Sequence, residues 1–168
     1  PKGNQIFVRW MDAEGAITQV THVDQSPGAP QWSPDGNWIG FSMSVEDKTS
    51  WSIKMPKAPD GAKWVDAPKI VERLNYGSDG TGFTDTGYRQ IFVVPATGGT
   101  ARQLTTGTSN INGVEWTPDG KSILFSGNRA TDAEYQWRES EIYAVDVASA
   151  NVRQLTNHKG PDQNPTIS

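Results

Sequence analysis

The chain contains no cysteine and only two histidines, His22 and His158. The first absence excludes disulfides and thiolate metal sites, and it leaves the compartment open between cytoplasm and periplasm. Two imidazoles cannot complete a zinc site without carboxylate help, so no metal or cofactor is expected. Basic residues are in the minority as well: 15 Lys and Arg against 19 Asp and Glu give a net charge of −4. That balance is the reverse of a nucleic-acid surface. No apolar run approaches the roughly 20 residues of a membrane span, and none has a helical period long enough to build a helical layer. Nucleic acid and membrane are therefore not expected as partners. The chain opens at Pro1 without an initiator methionine, and an upstream segment is expected to have been removed or to lie outside residues 1–168.

What is abundant is turn and aromatic material: 17 Gly, 11 Pro and 7 Trp among 168 residues. That length is enough for one domain with a sizeable core, and the composition leans to an all-β fold.

The chain also repeats itself. "QWSPDGNWIGFS" (31–42) returns as "EWTPDGKSILFS" (115–126), with Trp32, Pro34, Asp35, Gly36, Ile39 and Phe41 each 84 residues before their copies. "QIFVVPATGGTARQLT" (90–105) returns 51 residues later as "EIYAVDVASANVRQLT" (141–156), and an earlier partial copy reads "QIFVRWMDAEGAITQVT" (5–21). "NPTIS" (164–168) lines up with "GVEWT" (113–117). Four short alternating strands, A to D, at this period are the signature of a β-propeller blade.

The repeat divides the chain into strands C–D of one blade (1–21), a blade with a long insertion (29–105), a further blade (112–156) and the first strand of the next (164–168). The insertion, about 33 residues of extra length between strands B and C, is placed at about 45–89. It reads as a proline-stiffened excursion with one added strand over 68–74. About two and a half blades are expected where a closed propeller has roughly four to eight. The chain therefore reads as a partial propeller. Its unpaired strand edges invite the missing remainder of its own propeller or self-association with another copy.

Within "SPDG", Pro presets the first corner of a type I turn, Asp accepts from backbone amides beyond it, and Gly supplies a left-handed position. Trp32 and Trp116, on innermost strands, are expected to fill the wedge between neighbouring sheets. Asp35, Gly36, Asp119 and Gly120 are thus turn residues and the two tryptophans packing anchors. "GSDGTGFTD" (77–85), with Asp79 and Asp85, superficially looks like a calcium loop. It lacks the alternating acidic ligands and closing Glu, and it reads as a tight turn.

"WSPDG", "SEIYAVDVASANVRQLTNHKGPDQNP" and above all "PKIVERLNYGSDGTGFTDTGYRQIFVVPATGGTARQLTTG" (68–107) resemble the N-terminal propeller of prolyl-oligopeptidase-family serine peptidases, in the acylaminoacyl-peptidase/dipeptidyl-peptidase branch. The resemblance implies an α/β-hydrolase domain with a Ser–Asp–His triad, capped by a propeller that admits peptide substrates and excludes folded proteins. The G-x-S-x-G elbow of that domain does not occur in this chain. "YGSDG" (76–80) comes nearest and has Tyr in place of the first Gly. No catalytic residue can be assigned within it. The alternative is a non-enzymatic scaffold for protein–protein interaction, similar to the Tol-system periplasmic propeller.

In an up-and-down blade the B–C and D–A connections leave at one end of the sheet. The insertion and the polar stretch 128–139 both lie in B–C connections, so that end is expected to face substrate or the hydrolase domain. The candidate residues are Tyr88, Arg89, Asn128, Arg129, Arg138 and Glu139.

Overall fold

A computed structural model of the chain describes residues 3–11, 14–47, 54–62, 65, 68, 70–80, 82–84 and 87–167. Twelve strands and no helix occur among them. Strands β1 (Phe7–Arg9) and β2 (Ile17–Gln19) form a hairpin. Strands β3 (Gly28–Trp32), β4 (Trp38–Glu46), β7 (Gly87–Pro95) and β8 (Arg102–Gln103) form an antiparallel sheet in that order. Strands β9 (Ile111–Trp116), β10 (Ser122–Gly127), β11 (Glu141–Asp146) and β12 (Val152–Gln154) repeat the arrangement. The chain is thus an all-β, partial propeller: two four-stranded blades preceded by an outer strand pair.

Alternation of side chains along each strand gives the β3-β4-β7-β8 blade two buried faces. Ile39, Phe41, Phe92 and Val94 pack with Val8 and Val20 of the first hairpin. From the other face of the same sheet, Ile91 and Val93 meet Ile111, Val114, Trp116, Ile123 and Phe125 of the next blade. Phe41 stacks on its cross-strand partner Phe92 at 5.6 Å, and Phe125 on Tyr143 at 5.4 Å. The ring pair is therefore copied with the repeat.

The A–B turns form as the sequence dictates. Gly36 N donates to Ser33 O and Gly120 N to Thr117 O, and the two glycines have φ of 71° and 67°. Asp35 Oδ1 accepts from the Ser33 hydroxyl at 2.5 Å and from Asn37 N at 3.0 Å; Asp119 Oδ1 accepts from the Thr117 hydroxyl at 2.6 Å and from Lys121 N at 3.0 Å. These hydroxyls, then the amides, hold both carboxyls below the ordinary carboxylate range. A lowered folded pKa stabilises the fold above the unfolded value of about 3.9, and the contribution is lost as pH falls through the folded value. Asp119→Ala is expected to lower the thermal midpoint at pH 7, and the difference from the parent should shrink steadily below about pH 4. Circular-dichroism melts between pH 7 and pH 2 check this; a difference independent of pH would show that the carboxylate charge has no part in the turn.

Four expectations need correction. Trp32 does not fill a wedge: it is 48% exposed, whereas Trp116 is 7% exposed. Trp116 has a complete blade to lie on, while the β1–β2 pair offers only the positions of outer strands C and D to Trp32. No strand forms at the described residues of 68–74; β4 is already paired on both edges, by β3 and β7. The insertion instead forms a small hairpin of β5 (Gly77–Ser78) and β6 (Gly82–Phe83), around Asp79; Asp85 lies outside the described residues.

The insertion is also shorter at both ends than 45–89. The β4–β7 ladder runs unbroken from Trp38↔Pro95 to Glu46↔Gly87, which puts Tyr88 and Arg89 on a strand. Finally, residues 164–167 carry no strand, because no described segment pairs with them. One backbone feature of strand A nevertheless recurs at Asn164. Asn164 has φ of 53°, and the residues at the matching repeat positions, Ala29 and Gly113, have 48° and 82°. At the first two copies this position lies where the A–B register shifts, a β-bulge that bends strand A.

Candidate functional site: the loop end of the blades

Backbone bonds sort the connections into two ends. At one, Ala96 N donates to Asn37 O and Val147 N to Lys121 O, each at 2.8 Å. The A–B and C–D turns therefore share that end, with Lys121 on it. At the other end the B–C and D–A connections interlock. Arg89 N donates to Asn110 Oδ1 at 2.8 Å, Arg129 Nη2 to Thr106 O at 3.3 Å, and Gly160 N to Glu139 Oε2 at 2.7 Å. Leu74 N, in the insertion, donates to Glu134 Oε2 at 3.2 Å in the B–C connection of the next blade.

The second blade projects further at this end. Its β4–β7 ladder continues for three pairs beyond the point where the β10–β11 ladder stops, at Gly127↔Glu141. Three residues of strand add roughly 10 Å, and they carry Tyr88 and Arg89 outward. Tyr88 is half-buried, with the Arg73 guanidinium 3.9 Å over its ring, and Arg73 lies 3.7 Å from Asp47. Burial raises the Tyr88 phenol above its ordinary value, with the Arg73 charge opposing the shift.

The candidate residues form separate groups on one surface. Arg129 is half-buried, its guanidinium 5.8 Å from the Tyr143 ring centroid, and its buried Nη1 has no hydrogen-bond partner. Asn128 organises its own connection: its side-chain amide donates to Gln136 O at 2.8 Å, and its Oδ1 accepts from Ala130 N at 3.2 Å. Arg138 is exposed and stacks at 4.5 Å on exposed Trp137. Glu139 caps the D–A loop through Gly160. No group of three or more metal-ligating side chains suited to a metal ion occurs among the described residues.

A structural device at this end escaped the sequence reading. Gln90 Oε1 accepts from the Thr105 hydroxyl at 2.7 Å, Thr105 Oγ1 accepts from Ile91 N, and Gln90 Nε2 donates to Gly107 O and Ser109 O. Gln5 and Thr21 make the same latch, with Val23 as the loop partner, and Glu141 and Thr156 make an acidic version that holds His158 N. Each latch ties the start of strand C to the D–A loop. The signal was present in "QIF…QLT", where Gln, Gln and Glu precede the repeated Ile and Thr closes strand D.

Sheets of this order, stacked face to face about a repeated turn, define a β-propeller module whose B–C and D–A loops share one end. Residues 46–168 match the family model of the dipeptidyl peptidase IV N-terminal region, and the chain belongs to that family. It is similar to "Uncharacterized peptidase YuxL" of Bacillus subtilis, at 27% identity over 142 residues, covering 84% of this chain and 20% of that protein. It is also similar to "Uncharacterized protein Atu1656" of Agrobacterium fabrum, at 27% identity over 148 residues, covering 83% of this chain and 46% of the relative. The chain therefore spans less than half the length of either relative. Among solved structures, TolB from Acinetobacter baumannii aligns over 90% of this chain and 37% of its own, at 18% identity and a TM-score of 0.33.

Proposed function

We propose that the chain is the substrate-gating propeller part of a serine peptidase similar to acylaminoacyl and dipeptidyl peptidases, with its loop end turned to the peptide and to an α/β-hydrolase domain supplied outside residues 1–168. Membership of the dipeptidyl peptidase IV N-terminal family and the printed description of one relative as a peptidase support the class. The observation that carries the choice of surface is Arg129. Its guanidinium stands at the loop end with a buried, unpaired N–H, and an unmatched buried donor is costly until an acceptor reaches it. A peptide carbonyl or carboxylate meets that need once the side chain turns Nη1 out of its buried position.

The chain by itself contains no nucleophile elbow, and alone it is expected to leave chromogenic aminoacyl and acyl-aminoacyl substrates uncleaved. In the intact peptidase, Arg129→Glu or Arg138→Glu is expected to reduce kcat/KM for peptides by about tenfold, a loss of ~1.4 kcal/mol of transition-state stabilisation. Lys121→Glu, at the opposite end, should stay within about twofold. Equal effects at the two ends would overturn the assignment. An intact protein that cleaves no peptide would favour the interaction scaffold instead.

A further inference from the structure

We propose that Trp32 is the seat for a neighbouring pair of strands whose second member carries glycine opposite the indole. This rests on the propeller fold and is independent of the peptidase reading. The contact occurs once among the described residues. Trp116 of β9 lies on the second blade and donates from Nε1 to Gln31 O at 3.2 Å. Beneath it is Gly40 of β4, where a Cβ would stand 3.0 Å from Trp116 Nε1, 3.0 Å from Val114 Cγ1 and 3.2 Å from Ile123 Cδ1. Gly40 is not among the residues with positive φ. It is glycine for room, not for backbone freedom.

Trp32 is the repeat mate of Trp116, and its strand partner Ile39 matches Ile123 in both register and burial. It therefore stands at the same register position on its blade and lacks the surface to lie on. The first hairpin shows what that surface is. β1 takes the place of strand C, yet it pairs on one edge only, with β2, whereas its counterpart β7 pairs with β4 on one edge and β8 on the other. Two further antiparallel strands, in the places of β3 and β4, would complete that sheet. The second of them would pair with β1 and pass beneath Trp32. A side chain there would collide with the indole, and a backbone carbonyl of the first strand would accept its N–H.

A second copy of this chain does not offer that surface. On the outward face of the third blade the position of Gly40 is taken by Leu124, and Ile167 takes the position of Trp116 in the following copy. The sequence thus matches a large ring to glycine at one interface and a smaller side chain to leucine at the next. End-to-end stacking of two copies would force the indole onto Leu124, which overpacks the contact.

The test adds a second copy of residues 28–46 ahead of Gln5, through a flexible linker as long as the 128–140 connection. One version keeps glycine at the copied position 40, and the other carries Gly40→Leu in the added segment only. Both are labelled with fluorotryptophan, and the Trp32 resonance is assigned with Trp32→Phe. The glycine version is expected to shift the Trp32 signal and raise the melting midpoint by ~5 °C. The leucine version should give less than about a third of that rise, and Trp32→Ala should erase the difference between them. Equal shifts and equal midpoints for the two versions would overturn the proposal, as would no change at Trp32 in either. Association of the unmodified chain that is lost with Trp32→Ala would also overturn it, because the occupant would then be a second copy.

Discussion

Trp116→Ala is expected to lower the stability of the chain by about 3–5 kcal/mol, and Trp32→Ala by about 1 kcal/mol or less. The two residues occupy the same place in the repeat, within "WTPDG" and "WSPDG", and no scale of residue types separates them. Their surroundings do. Trp116 lies between two blades, against Val114, Ile123, Ile91 and Val93, with its indole N–H on Gln31 O. Truncation there removes the largest ring of that core and leaves a cavity the flanking sheets cannot close without moving apart. Trp32 stands about half exposed with no second sheet above it, so its removal returns little apolar surface to water. Urea titrations followed by circular dichroism compare the two variants directly. Equal losses would mean that Trp32 is covered in solution by something other than the chain described here.

Thr105→Val is expected to cost about 3 kcal/mol, and Thr156→Val about 1 kcal/mol. The Thr105 hydroxyl accepts from Ile91 N and donates to Gln90 Oε1, and both Thr105 and Gln90 are 1% exposed. Valine fits the volume but leaves a buried amide and a buried carbonyl without partners. The asymmetry between an unmade and a made hydrogen bond then sets the size of the loss. Thr156 makes the same two bonds to Ile142 N and Glu141 Oε2, but it and Glu141 are only half-buried, and water can take over. Thermal melts of the two variants check the order. The order would be reversed if the latch worked through the carboxylate charge of Glu141 rather than through burial of the pair.

The latch also shows what a repeat hides. "QIF" and "QLT" are repeated words that mark strands C and D. Nothing in the words says that the Gln and the Thr touch, because residues 15 apart along the chain meet only when C and D pair in the observed register. The same limit applies to Tyr88 and Arg89. Read as loop residues beside an insertion, they are strand residues, because the ladder between β4 and β7 continues three pairs beyond the length of its repeat mate. Pairing length depends on the partner strand, and no local propensity reports it.

The sequence by itself determined the blade. Strand alternation and the Ser/Thr-Pro-Asp-Gly turn with its Asp acceptor and left-handed Gly are short-range devices that act within a few residues, and the 51-residue period only repeats them. They place eight strands in two sheets and set the B–C and D–A loops at a common end. The tertiary structure decided which copies of a repeated residue are buried. It made Trp116 a core residue and left Trp32 open, gave Gly40 a reason to lack a side chain, and left Arg129 with an unmatched donor among the loops. The reason is physical. Identical local sequences form identical turns and strands, but burial and hydrogen-bond balance are properties of the surface that arrives from elsewhere in the fold.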